Sequence, residues 1–278
     1  MQNSRNNPSK PRLEVLVATL GGGGLLRFAA SSPPRVAGVT YLVSCQHPDS
    51  PVPPEIPAEL GQRPDIRVIF TPTKGLSVNR NHLFDNATAP LFLIADDDLT
   101  YDSNALKSAI SAFDANPEVD LMTFRYDGPS LKHYPPDGHS LERPWKNYYI
   151  SSIEIGGRLE SVRRARLRFS PLAGIGAPVL TAGEEAFFIH SALKRGLRAI
   201  HCALTIATHP DLPTGLKTPT PGFLKSRGAV IALTYPGTAL LRIPWRSWAD
   251  RHTVPPIAHF RHLVSGAVYA LRHRRSLL

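Results

Sequence analysis

Strand-like apolar runs alternate with helix-like segments along the first half of this 278-residue chain. The strand-like runs lie at residues 13–20, 38–45, 66–70, 91–95 and 119–126, and the helix-like segments at 77–87 and 103–116. The run at 91–95 is apolar at every position, which is typical of a strand covered on both faces. The alternation predicts an α/β fold with a doubly wound, mainly parallel sheet flanked by helices.

Three consecutive aspartates, Asp96, Asp97 and Asp98, follow the apolar run at 91–95. Ligands of open α/β sheets bind at the carboxyl ends of strands, and crowded carboxylates suit Mg²⁺ or Mn²⁺ together with substrate phosphates. In an extended segment Asp96 and Asp98 share a face while Asp97 points away. Asp98 is therefore the predicted metal ligand, and Asp96 is expected to hold the ribose or the metal's water shell. The alternative is helix capping, although a cap needs only one aspartate.

Ser77, Arg80 and His209 lie near the ends of predicted elements. Ser77 is the predicted N-cap of the helix at 77–87, with Arg80 in its first turn, where an arginine suits a diphosphate or a uracil edge. An ordinary exposed arginine is the alternative for Arg80. His209 ends a predicted strand at 198–209 and is a candidate metal ligand, although His-Pro at a strand end is also common in turns.

Helix boundary signals surround the pair Glu184 and Glu185. Thr181 is the predicted N-cap, Glu184 completes a capping box, and Gly196 is the predicted left-handed cap after the last turn. The box explains Glu184 and leaves Glu185 as a candidate general base. The glycine run 21–24 fits neither a dinucleotide-binding fingerprint nor a P-loop, and it is predicted to be a flexible turn beside the nucleotide.

The net charge of +10 is concentrated at the two ends of the chain. Residues 1–12 hold three basic residues and no acid, and residues 239–278 hold seven arginines against Asp250. An enzyme that binds nucleic acid more often has its basic residues around the active cleft. The pattern therefore argues against nucleic acid and favours an anionic membrane surface or a polyanionic acceptor. A solvated basic tail is the alternative.

Composition indicates a cytoplasmic protein that is soluble or attached to a surface. Its 42% hydrophobic residues suffice for a core, and its two cysteines provide no disulfide framework, so a reducing cytosol is expected. Residues 1–12 lack the apolar stretch of a secretory signal, and no apolar run approaches the ~18 residues of a membrane span. The predicted domains are a disordered basic tail (1–12), a catalytic domain (13–235) and a basic helical C-terminal extension (236–278).

Two sequence blocks, "GLSVNRNHLFDNATAPLFLIADDDLTYD" and "FSPLAGIGAPVLTAGEEAFFIHSALKRGLRAIHCALTIATH", occur in this order. Over roughly residues 13–210 the chain resembles family 2 glycosyltransferases of the GT-A fold. The resemblance implies a nucleotide-diphosphate sugar donor, a divalent Mn²⁺ or Mg²⁺ ion at the aspartates, and usually inversion at the anomeric carbon. The expected acceptor is a glycan or lipid-linked hydroxyl in cell-surface polysaccharide synthesis.

The resemblance also assigns roles to single residues. The catalytic residues are expected to be Glu185, as the base, and its neighbour Glu184. The metal site is expected to comprise Asp98, Asp96 and His209. The nucleotide side is expected to comprise Thr19, Gln46, Arg80, Asp96 and Asp97. Gln46 stands where many relatives have an aspartate, which leaves the base open between uracil, thymine and guanine, and Glu185 stands where aspartate is usual.

Other interpretations stay open. A sugar nucleotidyltransferase also combines a sheet with carboxylates and Mg²⁺, but it would be expected to carry a basic, glycine-rich phosphate loop after the first strand. A catalytically inactive domain that binds sugars or serves in assembly is the second alternative. The C-terminal segment, with Trp245, Trp248 and Phe260, either lies on the inner face of the cell membrane or packs on the catalytic domain as an ordinary terminal helix.

Overall fold

A computed structural model describes residues 10–129, 132–146, 148–210 and 219–278, so most of the predicted basic tail lies outside the described residues. The strands are β1 (Leu13–Leu20), β2 (Val39–Gln46), β3 (Ile66–Thr71), β4 (Leu91–Asp96), β5 (Thr100–Tyr101), β6 (Leu121–Asp127), β7 (Ile155–Arg158) and β8 (Ala199–Thr208). The helices are α1 (Gly21–Ala30), α2 (Ala58–Gly61), α3 (Leu76–Asn86), α4 (Ser103–Ala115), α5 (Leu159–Arg164), α6 (Glu184–Lys194), α7 (Pro221–Thr234), α8 (Ala239–Ala249), α9 (Pro256–Arg272) and α10 (Arg274–Leu277).

The described strands form one sheet in the order β3-β2-β1-β4-β7-β6-β8-β5. β3, β2, β1 and β4 run parallel to one another, and β6 runs parallel to β8. β7 is antiparallel to both β4 and β6, and β5 is antiparallel to the end of β8. The predicted mainly parallel α/β sheet is confirmed. The parallel strands bring their carboxyl ends to one edge, where a ligand site is expected.

The hydrophobic core lies on both faces of this sheet. Side chains alternate along β1, so Leu13, Val15 and Val17 pack toward α1 and α4, whereas Leu16 and Ala18 pack toward α3, α5 and α6. Both faces of the central strands are therefore covered, which explains why their sequences are apolar without alternation. The arrangement is the doubly wound one that the sequence predicts.

Two local predictions about this sheet differ from the structure. The glycine run 21–24 is not a flexible turn, because it forms the first turn of α1. Residues 152–164 carry no clear strand pattern, yet they form a 3₁₀ turn (Ser152–Glu154), the short strand β7 and helix α5. A four-residue strand that contains two glycines has little intrinsic strand preference, so its pairing with β4 and β6 determines its conformation.

The C-terminal helices form a group of their own. As predicted, the chain breaks between α8 and α9 at Pro255 and Pro256. Helix α7 crosses α9 closely, since a Cβ added at Gly228 would lie 1.9 Å from the Leu263 carbonyl oxygen, and one at Gly266 would lie 1.8 Å from that of Lys225. The predicted boundary at 235/236 falls in the turn between α7 and α8, and the domain boundaries stay predictions. Within the described part of the chain, no helix has both the length and the apolar character to cross a bilayer.

Candidate functional site

The predicted site residues of β1, β2 and β4 lie together at the carboxyl edge of the sheet. In the parallel register, Ala18 of β1 lies opposite Asp96 of β4, and Leu20 of β1 lies opposite Gln46 of β2. Thr19 is paired in register with Cys45, and its side chain bonds to Asp97 on the opposite face of the sheet from Asp96 and Gln46. The structure brings these residues together as the strand pattern predicts, and it adds α3 and α6 above the same edge.

Arg80 is the centre of this group, and its side chain is only 2% exposed. Its guanidinium donates to Glu184 Oε1 at 3.0 Å, to Asp96 Oδ1 at 3.3 Å and to Ser152 Oγ at 2.6 Å. It also lies 4.0 Å from Glu185 Oε1. The reading of Arg80 as an exposed arginine is therefore wrong. One buried cation offsets the repulsion of three carboxylates, so Arg80 holds the strand tip of β4 and the start of α6 in a fixed relation.

Helix α6 begins at Glu184, not at Thr181, because Gly183 adopts a left-handed backbone (φ 88°) directly before it. The predicted capping box is wrong, since the carboxylate of Glu184 is paired with Arg80. The side chain of Glu185 is 17% exposed, and its Oε1 lies 4.0 Å from the guanidinium of Arg80, too far for a hydrogen bond. Burial, followed by the negative charge of Glu184, raises the pKa of Glu185 to about 8. A carboxyl group that titrates near neutral pH and reaches the site opening suits a general base.

Asp97 points to the opposite side from this cluster, as strand alternation predicts. Its carboxylate accepts two hydrogen bonds from Arg27, at 3.0 and 2.9 Å, and one from the hydroxyl of Thr19. Both Asp97 and Thr19 are buried. These bonds join α1, β1 and the end of β4, so the two residues predicted for the nucleotide side brace the wall of the site with their side chains.

Gly24 allows this bracing, because a Cβ there would lie 1.8 Å from Thr19 Oγ1 and 2.7 Å from Asp97 Oδ2. We expect Gly24→Ala to lower the free energy of unfolding by about 1–3 kcal/mol, since the side chains must move apart. The matched control is Gly23→Ala in the same helical turn, where the nearest atom lies 4.0 Å away. That change should raise stability by about 0.5–1 kcal/mol. Urea titrations of both variants check this, and equal stabilities would contradict the assigned packing.

Asp98 and His209 come together through a pairing that the sequence does not reveal. β5 pairs with β8, Thr100 opposite Thr208, which brings His209 Nε2 to 3.7 Å from Asp98 Oδ1. Asp98 Oδ1 is buried and has no hydrogen-bond partner among the residues that the structure describes. Burial raises the pKa of Asp98, the charges of Asp96 and Asp97 add to this rise, and His209 opposes it. A buried carboxylate oxygen without a donor is suited to receive a cation or a proton.

The chemistry of these groups fits a divalent ion that takes further ligands from its substrate. Among the residues that the structure describes, no three His, Cys, Asp or Glu side chains form a ready metal centre. Asp98 and His209 supply an oxygen and a nitrogen, and Asp96 lies nearby but is bonded to Arg80. Mg²⁺ commonly uses only one or two protein carboxylates and completes its shell with phosphates and water. The donor set is therefore compatible with Mg²⁺ or Mn²⁺.

Gln46 and Ser77 secure the loop before α3. The amide of Gln46 donates to Thr73 Oγ1 at 3.2 Å and to the carbonyl oxygen of Gly75 at 3.1 Å. Gly75, with φ 104°, is the residue before α3, so the prediction of Ser77 as N-cap is wrong. Ser77 lies inside the helix and donates to the Ala173 carbonyl oxygen at 2.6 Å. Gln46 thus lies at the predicted edge, with its amide nitrogen engaged in holding this loop.

The structure adds a buried cluster beside the site that sequence reasoning missed. Lys132 lies 2.5 Å from Glu154 Oε1, and both side chains are buried. Four tyrosine rings lie within 5.6 Å of the ammonium group, belonging to Tyr126, Tyr134, Tyr148 and Tyr149. Glu154 and Ser152 belong to the same 3₁₀ turn, so this turn connects the loop segments at 132–146 and 148–149 to Arg80. The tyrosine-rich composition of these segments is the one sequence signal that could have indicated the cluster.

Comparisons with known proteins agree with this arrangement. The family described as Glycosyl transferase family 2 matches residues 53–171, which include α3, the aspartates and the 3₁₀ turn. A search of curated proteins finds no match. The matching segment confirms the family that the two sequence blocks resemble.

Solved structures of TarS from S. aureus share the fold. Residues 1–349 of TarS superpose with a TM-score of 0.57 at 13% identity, covering 95% of this chain and 91% of that one. The same region in complex with UDP-GlcNAc gives 0.56 at 13% identity, covering 95% and 92%. A longer TarS structure gives 0.58 at 12% identity, and here the chain covers 55% of TarS. At these identities the likeness establishes the GT-A fold and leaves the substrate to chemical argument.

Proposed function

Residues 53–171 of this chain match a glycosyltransferase family. We infer that the chain is a glycosyltransferase that moves a sugar from a nucleotide-diphosphate donor to a hydroxyl group. The observation that carries this proposal is the carboxylate group at the sheet edge. Arg80 is bonded to Glu184 and Asp96, whereas Glu185 is partly exposed and Asp98 Oδ1 accepts no hydrogen bond from the described residues. One carboxylate suits proton transfer and the other suits a cation.

A nucleotide sugar is the proposed donor because strand tips, the start of α6 and the proposed cation ligands meet at this edge of the sheet. A TarS structure holds UDP-GlcNAc in the same fold, which supports a donor of this class. Gln46 lies at the end of β2, where a nucleoside base would approach, but its amide nitrogen already donates to Thr73 and Gly75, so it indicates no particular base. The base of the donor is therefore left to experiment.

Asp98, Asp96 and His209 are the proposed ligands of Mn²⁺ or Mg²⁺, with Asp98 as the principal one. When bound, such an ion would neutralise charge on the departing diphosphate. Arg80 holds Asp96 in place through an ion pair. Because the guanidinium of Arg80 is buried, we assign Arg80 no direct contact with the donor. Asp97 and Thr19 keep the strand tip rigid through Arg27. The chain thus contributes a fixed cation site beside the sugar-transfer centre.

Glu185 is the proposed general base. The acceptor oxygen attacks the anomeric carbon as the bond from that carbon to the phosphate oxygen breaks, and the acceptor proton passes to Glu185. The nucleoside diphosphate leaves with the electron pair of the broken bond. A single displacement of this kind inverts the anomeric configuration. Glu184 supports Glu185 by holding the first turn of α6 on Arg80, and its negative charge helps keep the pKa of Glu185 high.

We propose a glycan or a lipid-linked glycan as acceptor, in the synthesis of a cell-surface polysaccharide in the cytoplasm. The support is the pair of loop segments at 132–146 and 148–149, because Lys132 bonds to Glu154 and Ser151 and lies close enough to Glu185 to interact with its charge. The exposed Trp145 and Tyr149 of these segments are rings of the kind on which sugars stack.

A screen of nucleotide sugars with Mn²⁺, Mg²⁺ or EDTA tests the proposed function. We expect slow, metal-dependent hydrolysis of one donor, with release of a nucleoside diphosphate. Release of pyrophosphate from a nucleoside triphosphate and a sugar phosphate would instead assign a nucleotidyltransferase. Calorimetric binding of a donor without turnover across an acceptor panel would assign a binding module. Hydrolysis that EDTA leaves unchanged would contradict the metal site.

A further inference from the structure

Helix α8 carries a continuous apolar face that nothing in the described chain covers. The face comprises Leu240, Leu241, Pro244, Trp245 and Trp248, whose spacing places them on one side of a helix. Leu240 is 89% exposed, Leu241 75%, Trp245 63% and Trp248 60%. We call these five residues the α8 face. Exposed large apolar side chains in such a group mark an interaction surface.

The opposite side of α8 is buried against the protein, so the α8 face is exposed on a helix that is firmly packed. Ile243 packs with Leu263 of α9, and Ser247 donates to the Pro256 carbonyl oxygen at 2.6 Å. Helix α9 is in turn held against α7 by close backbone contact at Gly228 and Gly266. The helix is therefore anchored with one side inward and its tryptophans outward.

Helix α9 continues the same character. Its outward positions include Ile257, Phe260, Val268 and Leu271, each at least 41% exposed. They follow one another at intervals that keep them on one stripe of the helix. The C-terminal helices thus have a buried side and a side with exposed apolar residues. The segment therefore packs as terminal helices and still presents an apolar surface.

Arginines outnumber acids in the segment that carries this surface. Residues 239–278 contain seven arginines and a single acid, Asp250. Asp250 is paired with Arg227 and Arg246, both at 2.9 Å, which removes its charge from the surroundings. Arg251 lies over the ring of Trp248 at 4.0 Å, so a cation borders the apolar face directly. The surface therefore complements an anionic partner.

We propose that the α8 face docks the enzyme on a bilayer that contains anionic lipids. Tryptophan rings favour the boundary between headgroups and acyl chains, and the neighbouring arginines would meet lipid phosphates. A second copy of the chain fits less well, because a symmetric contact would bring the arginine-rich surfaces together without acids to balance them. If the α8 face docks on a membrane, the enzyme would meet a lipid-linked acceptor there. The acceptor part of this proposal rests on the proposed function, whereas membrane binding does not.

A flotation assay tests the proposal with two kinds of vesicle, one of phosphatidylcholine alone and one in which about one lipid in three is phosphatidylglycerol. We expect the full chain to float with the anionic vesicles, to bind the neutral ones much less, and to dissociate as salt is raised. The double variant Trp245→Ser/Trp248→Ser should lose roughly tenfold or more of its vesicle binding. The matched control is Leu26→Ser/Val52→Ser, which removes two exposed apolar side chains elsewhere and should bind as the parent does.

Fluorescence locates the contact, because the chain has three tryptophans and Trp145 lies outside the α8 face. In a Trp145→Phe background, anionic vesicles should shift the emission of the remaining two tryptophans to shorter wavelength. Equal flotation of parent and double variant, or no shift, would overturn the proposal. So would a dimer in light scattering that the double variant converts to monomer, since the face would then join two copies. Donor hydrolysis measured without vesicles tests the proposed function separately, so either proposal can fail alone.

Discussion

Asp98→Asn is expected to reduce metal-dependent sugar transfer by roughly 10²–10³-fold or more, while the protein stays folded. The amide has the shape of the carboxylate but not its charge, so the cation that shields the leaving diphosphate loses its principal ligand. Among the described residues Asp98 Oδ1 accepts no hydrogen bond, so the change weakens only its charge interaction with His209 at 3.7 Å. Turnover with Mn²⁺ or Mg²⁺ and the melting temperature are the two measurements.

The neighbouring Asp97→Asn is the matched control for this experiment. Asp97 accepts bonds from Arg27 and Thr19, so its change should lower the melting temperature, whereas Asp98→Asn should leave it unchanged or raise it. The two adjacent aspartates therefore separate activity from stability. Near-normal turnover of Asp98→Asn at saturating metal would refute the assignment of the metal site.

Glu185→Gln should lower turnover by roughly 10²–10⁴-fold, because the acceptor proton then has no carboxylate to receive it. In the parent enzyme, the pKa of Glu185 near 8 means that kcat/KM should rise with pH up to about that value and then level off. The residual activity of the variant should lack this rise. Glu185→Asp, with the residue usual in the family, should retain the pH dependence. A parent profile that is flat between pH 6 and 9 would count against Glu185 as the base.

The raised pKa of Glu185 should also make the stability of the protein depend on pH. Between its ordinary pKa and about 8, the folded state keeps a proton that the unfolded state has released, so stability falls as pH rises through that range. Glu185→Gln removes this proton uptake. Its melting temperature should therefore match that of the parent at pH 4 and exceed it at pH 8. Curves that stay parallel across the range would show that the pKa of Glu185 is not raised.

The strand core could be predicted because its signal is local. β1 begins and ends at the residues that the apolar run indicates, and the strand at 91–95 carries the aspartates to the expected edge. Boundary signals were less reliable. Ser77 and Thr181 are good N-cap types, but glycines at 75 and 183 with positive φ precede α3 and α6 instead. Backbone shape imposed by packing outweighed the capping preference of single side chains.

The amino-acid sequence by itself determined the mainly parallel α/β sheet, the family that residues 53–171 match, and the place of Asp96, Asp97 and Asp98 at a strand tip. These follow from the period and order of residues close together in the chain. Only the tertiary structure decided which carboxylate does what. Arg80 reaches Glu184 across 104 positions and Arg27 reaches Asp97 across 70. Ion pairs of that range depend on how the layers pack, because no local pattern records which distant charge a side chain will meet.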